Sequence, residues 1–542
     1  MKRIKDYILD KDLILKIALI FLIINPILDF YFLFNSKVIE FFHFSPSTII
    51  RTLVVGIIFI LFLFVIKKGK LNKWYIVYLV LIVAYSVAHH FSAYNFTAFY
   101  PERKHYVPIE ELFYLLRLTM PLVLISVLSR FNIGDDTFNK YLSITTIVVG
   151  LVIIITNLFK VSMASYGNDL ILGNIVCWFK SDNCGLGFLH LSSRGLFQSA
   201  NSISAYLLML LPINIYHFTK KSNIINYITI FVSMYAMFLV GTKVSTYGFF
   251  LALVGSIILY LMFVIIFKKI KFKKYTFYYL IGTLLLFLLV LPKSTIYLRM
   301  NVDKDLEMER LKMEVYNKEA LSKMDKTLEE FVHENHLEEH NNLFNSKEDI
   351  TYQDYLNIMT FKEKSDLIVP FLLDNYDNFS IMDDFIVFHY PYWVDPEMWY
   401  NVFHEDYGNR VNYRFLETTF LKRVKEVNNK KRDDYLGITY VRQGKIFTLE
   451  KDFLSHYYTL GIIGVILFLM PYVFIVIVLA IRELLRIKNI NMKVIYYLFG
   501  IGLCLCAGFY SGNVMDSLMV SLTMAYLSAV AINESFGGDY GK

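Results

Sequence analysis

Long apolar runs alternate with short polar breaks along the chain, and the runs have the length of a membrane crossing. A hydrocarbon core about 30 Å thick requires ~20 apolar residues in a helix. Runs of this kind fall at 13–34, 47–66, 74–93, 112–128, 141–159, 198–217, 224–240, 247–267, 275–292, 456–480, 494–512 and 515–532. The pattern predicts an α-helical polytopic membrane protein with about twelve spans. It is least regular at the fourth run, which contains Arg117, and at the short break between the last two. Near Lys293 the pattern changes to a polar insert over 293–455. Spans one to nine then occupy 1–292, and the last three occupy 456–542. Within the insert, spaced Leu, Met, Val and Phe over 303–340 predict amphipathic helix in two or three pieces. Residues 383–403 are aromatic-dense and broken by Pro391 and Pro396, 412–427 reads as helix, and 436–449 alternates like short extended segments. The insert is therefore expected to be a mixed, mainly helical domain.

Composition agrees with the pattern. The chain is 56% hydrophobic and 19% charged, with 47 Phe and 40 Tyr, which no soluble globular fold of this length requires. The net charge of +7 lies mostly in one set of loops. That set holds Lys2, Arg3, Lys5 and Lys11, then Lys67, Lys68, Lys70 and Lys73, then Arg130 and Lys140, and Lys220 and Lys221. It ends with Lys268, Lys269, Lys271, Lys273 and Lys274, and with Arg482, Arg486, Lys488 and Lys493. Lys/Arg-rich short loops face the cytoplasm. Both termini are therefore expected in the cytoplasm, and the insert outside. A basic membrane fringe implies lipid contact and no nucleic acid. The first run is too long for a cleavable signal peptide and no small-residue cleavage site follows it. No Walker loop and no Cys/His cluster of metal spacing occurs, so neither metal nor cofactor is implied. Cys177 and Cys184 share an outer loop, which leaves a disulfide and a pair of unreactive small residues both open. Cys504 and Cys506 read as packing residues.

Candidate chemistry gathers at the outer helix ends. Asp29 lies late in the first run and Arg51 early in the second. Arg117 is two turns inside the outer end of the fourth, Arg194 precedes the sixth, Lys243 lies between the seventh and eighth, and Arg299 follows the ninth. Arg presents a planar fork of donors suited to phosphate, so the cluster fits a diphosphate carrying a lipid tail. Glu450 and Asp452 stand immediately before the tenth run. Carboxylates at a membrane edge are costly unless water, a cation or chemistry holds them. His456 reads as an interfacial polar residue. Trp393, Trp399 and Tyr392 fit stacking on sugar rings, and equally fit a domain core or the membrane interface.

Four stretches carry a resemblance. They are GLFQSANSISAYLLMLLPI at 195–213, GTKVSTYGFFLALVG at 241–255, the insert between spans nine and ten, and LGITY followed by EKDFLSHYYTLGIIGVILF at 450–468. In order and spacing the chain resembles the O-antigen ligase and Wzy-type polymerase superfamily of bacterial membrane glycosyltransferases; SPSTIIR and NPILD are similar to Gram-positive members. The resemblance implies a GT-C-like helical fold and a multi-pass protein of the bacterial cytoplasmic membrane. It implies glycan transfer from undecaprenyl diphosphate to an acceptor hydroxyl, outside the membrane, inverting and without a metal. Two positions depart from the pattern. Lys243 stands where many members have Arg, and Glu450 stands where ligases have His, eleven residues before Gly461. Glu-x-Asp there is closer to polysaccharide polymerases. Glu450 is thus the expected general base, with Asp452 beside it on an extended segment, orienting the acceptor or sharing that catalytic role, and Arg194, Lys243, Arg51 and Arg117 are the expected diphosphate ligands. A flippase and a chain-length regulator are the expected partners. The alternatives are a ligase acting on a second acceptor and a lipid-linked-oligosaccharide transporter. The latter would place its charges near mid-membrane.

Overall fold

The computed structural model describes residues 11–34, 45–65, 73–94, 106–340, 350–439 and 449–537, with residues 37 and 39. The basic residues within 1–10, 66–72 and 95–105, and residues 440–448 of the expected extended segments, lie outside this set. A helix stands at each expected span. Among the described residues ten are long and apolar enough to cross a membrane. The other two, Lys11–Ile27 and Ile224–Val240, have 17 residues each, about 26 Å at 1.5 Å per residue.

The first helix is shorter than expected. Past Pro26 the chain pairs with the segment before Ala200 instead. Tyr31 N donates to the Leu196 carbonyl at 2.7 Å, and Gln198 N to that of Asp29 at 2.8 Å. β-structure among the described residues is limited to isolated bridges, Phe30–Phe197, Met163–Leu170 and Ala164–Ser193.

Ala200–Lys220 runs through the centre of the bundle, packed chiefly against Met492–Tyr510 and Lys243–Ile265. Its apolar window is wholly buried at a mean hydropathy of 1.2, against 2.7 for Pro46–Val65, of which 28% is buried. A helix sheathed by protein can carry Ser, Asn and His because those groups find partners inside the bundle. Gly500 permits the closest approach to it, since a Cβ there would lie 2.4 Å from the Met209 carbonyl oxygen.

The insert has a core of its own around Leu328, Trp399, Phe403, Leu416 and Phe420. Its first element corrects an expectation. Most of the stretch expected in two or three pieces is one helix of 40 residues, Thr295–Glu334, with a short 3-10 turn at Leu337–His340 beyond it. That stretch contains neither Gly nor Pro, so no residue in it carries the large helix-breaking penalties. The helix follows Lys274–Val290 through a tight turn at Leu291–Lys293.

Two glycines join the insert's end to the tenth span. Gly437 has φ +76° and Gly461 φ +68°, conformations that cost glycine little. A Cβ on Gly461 would lie 2.3 Å from the Tyr435 carbonyl carbon, and one on Gly437 2.2 Å from the Thr459 oxygen. Ile438 N and Thr439 N donate to the carbonyls of Tyr458 and Thr459 at 2.8 and 3.1 Å. Gly461 breaks the helix that starts at Asp452. The Leu460 carbonyl left free accepts from Tyr85 Oη at 2.6 Å. Buried His89 meets the Leu436 carbonyl through Nδ1 at 2.6 Å and buried Glu111 through Nε2 at 2.7 Å.

Candidate active site

A cavity of about 1610 Å³ opens where the helix bundle meets the insert. Its floor is made of helix starts. Ser199 to Ser202 begin Ala200–Lys220, Thr242 to Val244 begin Lys243–Ile265, and Ser517 and Leu518 begin Leu518–Phe536. Ser199 caps the first through Ser202 N, and Thr242 caps the second in a capping box with Ser245. Helix N-termini carry partial positive charge and free N–H groups, so three of them on one floor favour an anion.

Arg194 reaches this floor on the loop between the fifth and sixth spans. The Cys177–Cys184 disulfide closes part of that loop. Ser193 N, Ser165 Oγ and Tyr166 Oη dock it onto the carbonyls of Leu239, Val240 and Gly241, at 2.8, 2.7 and 2.9 Å. The docked turn leads straight into Lys243. Arg194 is buried, its Nη2 donates to Asn168 Oδ1 at 3.3 Å, and its Nε has no partner. Burial lowers its pKa from the ordinary arginine value. Among the described residues no carboxylate pairs with Arg194 or Lys243.

The other two expected cations also line the cavity but are engaged. Buried Arg51 meets Asn25 Oδ1 at 2.8 Å and Asp29 at 3.2 Å, and also bonds Ser47. Arg117 donates to the Asp516 carbonyl at 2.7 Å. Asp516 faces the cavity, and its carboxylate takes Tyr114 Oη at 3.2 Å and His456 Nε2 at 3.5 Å.

Glu450 lines the cavity with its side chain 43% exposed, 3.2 Å from Arg414 Nη2. Its backbone N–H donates to Glu417 Oε2 at 3.3 Å. Arg414 and Glu417 lie one turn apart on Tyr413–Asn428. Burial, opposed by the hydrogen bond from Glu450 N–H and helped by the Glu450 charge, pushes Glu417 up to about 8. Behind Glu450, Gly512 at φ +76° leaves room that a Cβ would close, 2.4 Å from the Glu450 carbonyl carbon.

Two expectations are corrected. Asp452 does not stand beside Glu450 on an extended segment. It is the first residue of its helix, buried, and its Oδ2 accepts from Val514 and Met515 N at 2.9 and 2.6 Å. Its carboxylate shapes the turn that carries Asp516. Trp399 presents no face for a sugar, because it is fully buried with Nε1 donating to the Tyr390 carbonyl at 2.7 Å. Trp393 is exposed and stands edge-on to Tyr392, but neither lines the cavity.

Sequence reasoning missed Arg414, Glu417 and Asp516, and read His456 as interfacial. Buried His456 donates or accepts at both ring nitrogens, with Nδ1 on the Asp452 carbonyl at 2.6 Å. The one legible signal was NVMDS at 513–517, a carboxylate just before an apolar run, as at Glu450.

No curated protein and no solved structure matches the chain. The family model for an O-antigen ligase like membrane protein does match it, over residues 11–534. With that match across nearly the whole chain, the protein belongs to the O-antigen ligase-like family of membrane proteins, which act in glycan transfer on lipid-linked glycans.

Proposed function

We propose that the protein polymerises undecaprenyl-diphosphate-linked oligosaccharide units into a surface polysaccharide on the outer face of the cytoplasmic membrane. The observation that carries this reading is one cavity with two unlike ends. Three helix N-termini face it beside Arg194 and Lys243, which pair with no carboxylate among the described residues, and Glu450 lines the same space. The acceptor hydroxyl oxygen attacks the anomeric carbon from the face opposite the diphosphate. The new C–O bond forms as the bond to phosphate breaks, with inversion. The electron pair leaves on the diphosphate, where Arg194, Lys243 and the helix N-termini stabilise it. The hydroxyl proton passes to Glu450, which releases it to water. Arg414, paired with Glu450 at rest, must yield for the carboxylate to act as base. Asp452 contributes by position, through the turn that presents Asp516.

The Lys/Arg asymmetry supports the outward placement of the insert and cytoplasmic termini. The Cys177–Cys184 bridge supports it too, since disulfides persist in oxidising compartments. A flippase and a chain-length regulator fit as partners because the substrate must reach the outer leaflet and the product must stop growing.

The test is purified protein given a defined lipid-diphosphate oligosaccharide in EDTA. Longer lipid-linked products are expected, and Glu450→Gln is expected to abolish them while lipid-diphosphate binding persists. Transfer only to a second, unrelated acceptor would assign a ligase. Unchanged product from Glu450→Gln would remove the base.

A further inference from the structure

Helix Thr295–Glu334 buries residues at its ends and none between them. Thr295 and Ile296 are buried at one end, Asn317 and Leu321 begin the buried stretch at the other, and no residue between Ile296 and Asn317 is buried. One edge of this strut lines the cavity: Arg299, Asp303, Glu307, Arg310, Glu314 and Lys318. Their spacing of three and four residues puts them on one helix face, over roughly 28 Å at 1.5 Å per residue. Leu306 and Leu311 lie along the same wall and are 40% and 53% exposed.

The lower end of this edge meets the anion site. Arg299 stacks over the Tyr166 ring at 4.7 Å, and Tyr166 is the residue that holds Gly241, two positions before Lys243. Arg299 also faces Asp303 at 3.6 Å, Arg310 donates to Tyr407 Oη at 3.0 Å, and Glu314 pairs with Arg410. Among the described residues Glu307 and Lys318 have no partner. The wall thus alternates acceptors, donors and exposed aliphatic patches, with both signs of charge, beginning at the phosphate end.

We propose that this edge is a track for the sugar chain of the lipid-linked donor, running from the diphosphate at Arg299 towards Lys318. This rests on the reading of the floor as a diphosphate site. Pyranose rings offer hydroxyls to carboxylates and ammonium groups and C–H faces to Leu306 and Leu311. The mixed charge suits an uncharged or zwitterionic glycan. A polyanionic chain would meet Asp303, Glu307, Glu314 and Asp406, all on the cavity wall. The length of the track makes donor length the variable that reports on it.

The experiment uses full-length protein in nanodiscs, donors carrying one sugar and several repeat units, and the double variant Glu307→Ala/Lys318→Ala. The ratio of kcat/KM for long over short donor is expected to fall about tenfold, the loss of a hydrogen bond to a charged group. Glu307→Gln should restore part of it. An unchanged ratio would overturn the track. A parallel measurement does not depend on transfer: binding of the glycan pool that mild acid releases from the source cell's own lipid-linked donors. Wild type is expected to bind it and the double variant to bind at least about tenfold more weakly. If wild type transfers nothing yet binding is lost in the variant, the track stands and the polymerase reading falls. Equal binding by both proteins rejects the track.

Discussion

Two arginines of the same cavity make opposite demands on their surroundings. Arg51 is buried with Asp29, Asn25 and Ser47 around it. Removing it leaves a buried carboxylate uncompensated, at a cost of ~3–5 kcal/mol. Arg51→Ala is therefore expected to lower the amount of folded protein in membranes, read as yield and thermal stability. Arg194 has a buried Nε with nothing to bond among the described residues. Arg194→Ala should leave folding intact and cut turnover by a hundredfold or more, the usual loss for one donor to a developing negative charge. Lys243→Arg should retain activity, because the charge stays. Equal loss of yield in both Ala variants would erase the distinction between them. Glu417 adds a pH dependence. Its pKa rises from 4.5 to about 8 in the folded protein, so the folded state binds the extra proton between those values. The stability this proton confers is complete below pH ~4.5 and is lost as pH rises through ~8. Glu417→Gln should flatten thermal stability across that window. A variant with the slope of wild type would show that Glu417 is not the group that titrates.

At the scale of elements, the helices that cross the membrane were legible because each needs a long apolar run and little else. The candidate site was legible in part for the same reason. Arg51, Arg194, Lys243 and Glu450 lie beside apolar runs, where a charge stands out. Arg414 and Glu417 sit inside an ordinary amphipathic helix, where nothing marks them from neighbouring charges. Asp29, which pairs with Arg51, was legible from its place at the neighbouring span end, whereas the backbone groups that draw Asp452 inward are distant in sequence, which periodicity does not register. The junction at Gly437 and Gly461 was equally hidden, since its reason is a close approach of two backbones. Gly461→Ala is expected to cost ~1–3 kcal/mol from backbone conformation alone, and more from the contact with Tyr435. Because this junction ties the tenth span to the helix before it, the substitution should release the Glu450 segment. Limited proteolysis near residues 436–461 should then accelerate and transfer should fail. Wild-type proteolysis with lost activity would instead mean that the junction tunes the site without holding it.

At the scale of the whole molecule, the reading depends on which side of the membrane the cavity faces. The helix bundle and the insert have separate cores, and the cavity lies between them. Its proposed diphosphate ligands, its proposed base and the strut all stand at the bundle end that carries the insert. A single error in orientation would therefore put the whole site in the cytoplasm. The described basic loops, at Arg130, at Lys220 and Lys221, at Lys268 to Lys274 and at Arg482 to Lys493, lie at the other end, where exposed Lys269 follows the eighth span. The test keeps the Cys177–Cys184 bridge and replaces the free Cys504 and Cys506. A single cysteine is then placed at exposed Lys362 in the insert or at Lys269. In intact cells a membrane-impermeant maleimide is expected to label Lys362→Cys, and Lys269→Cys only after permeabilisation. The bridged pair should stay unlabelled until reduced. The reverse pattern would place the anion site, Glu450 and the strut on the side where no surface polysaccharide is assembled. It would end the polymerase reading even if every residue-scale prediction held, because the chemistry would have no lipid-linked glycan to act on there.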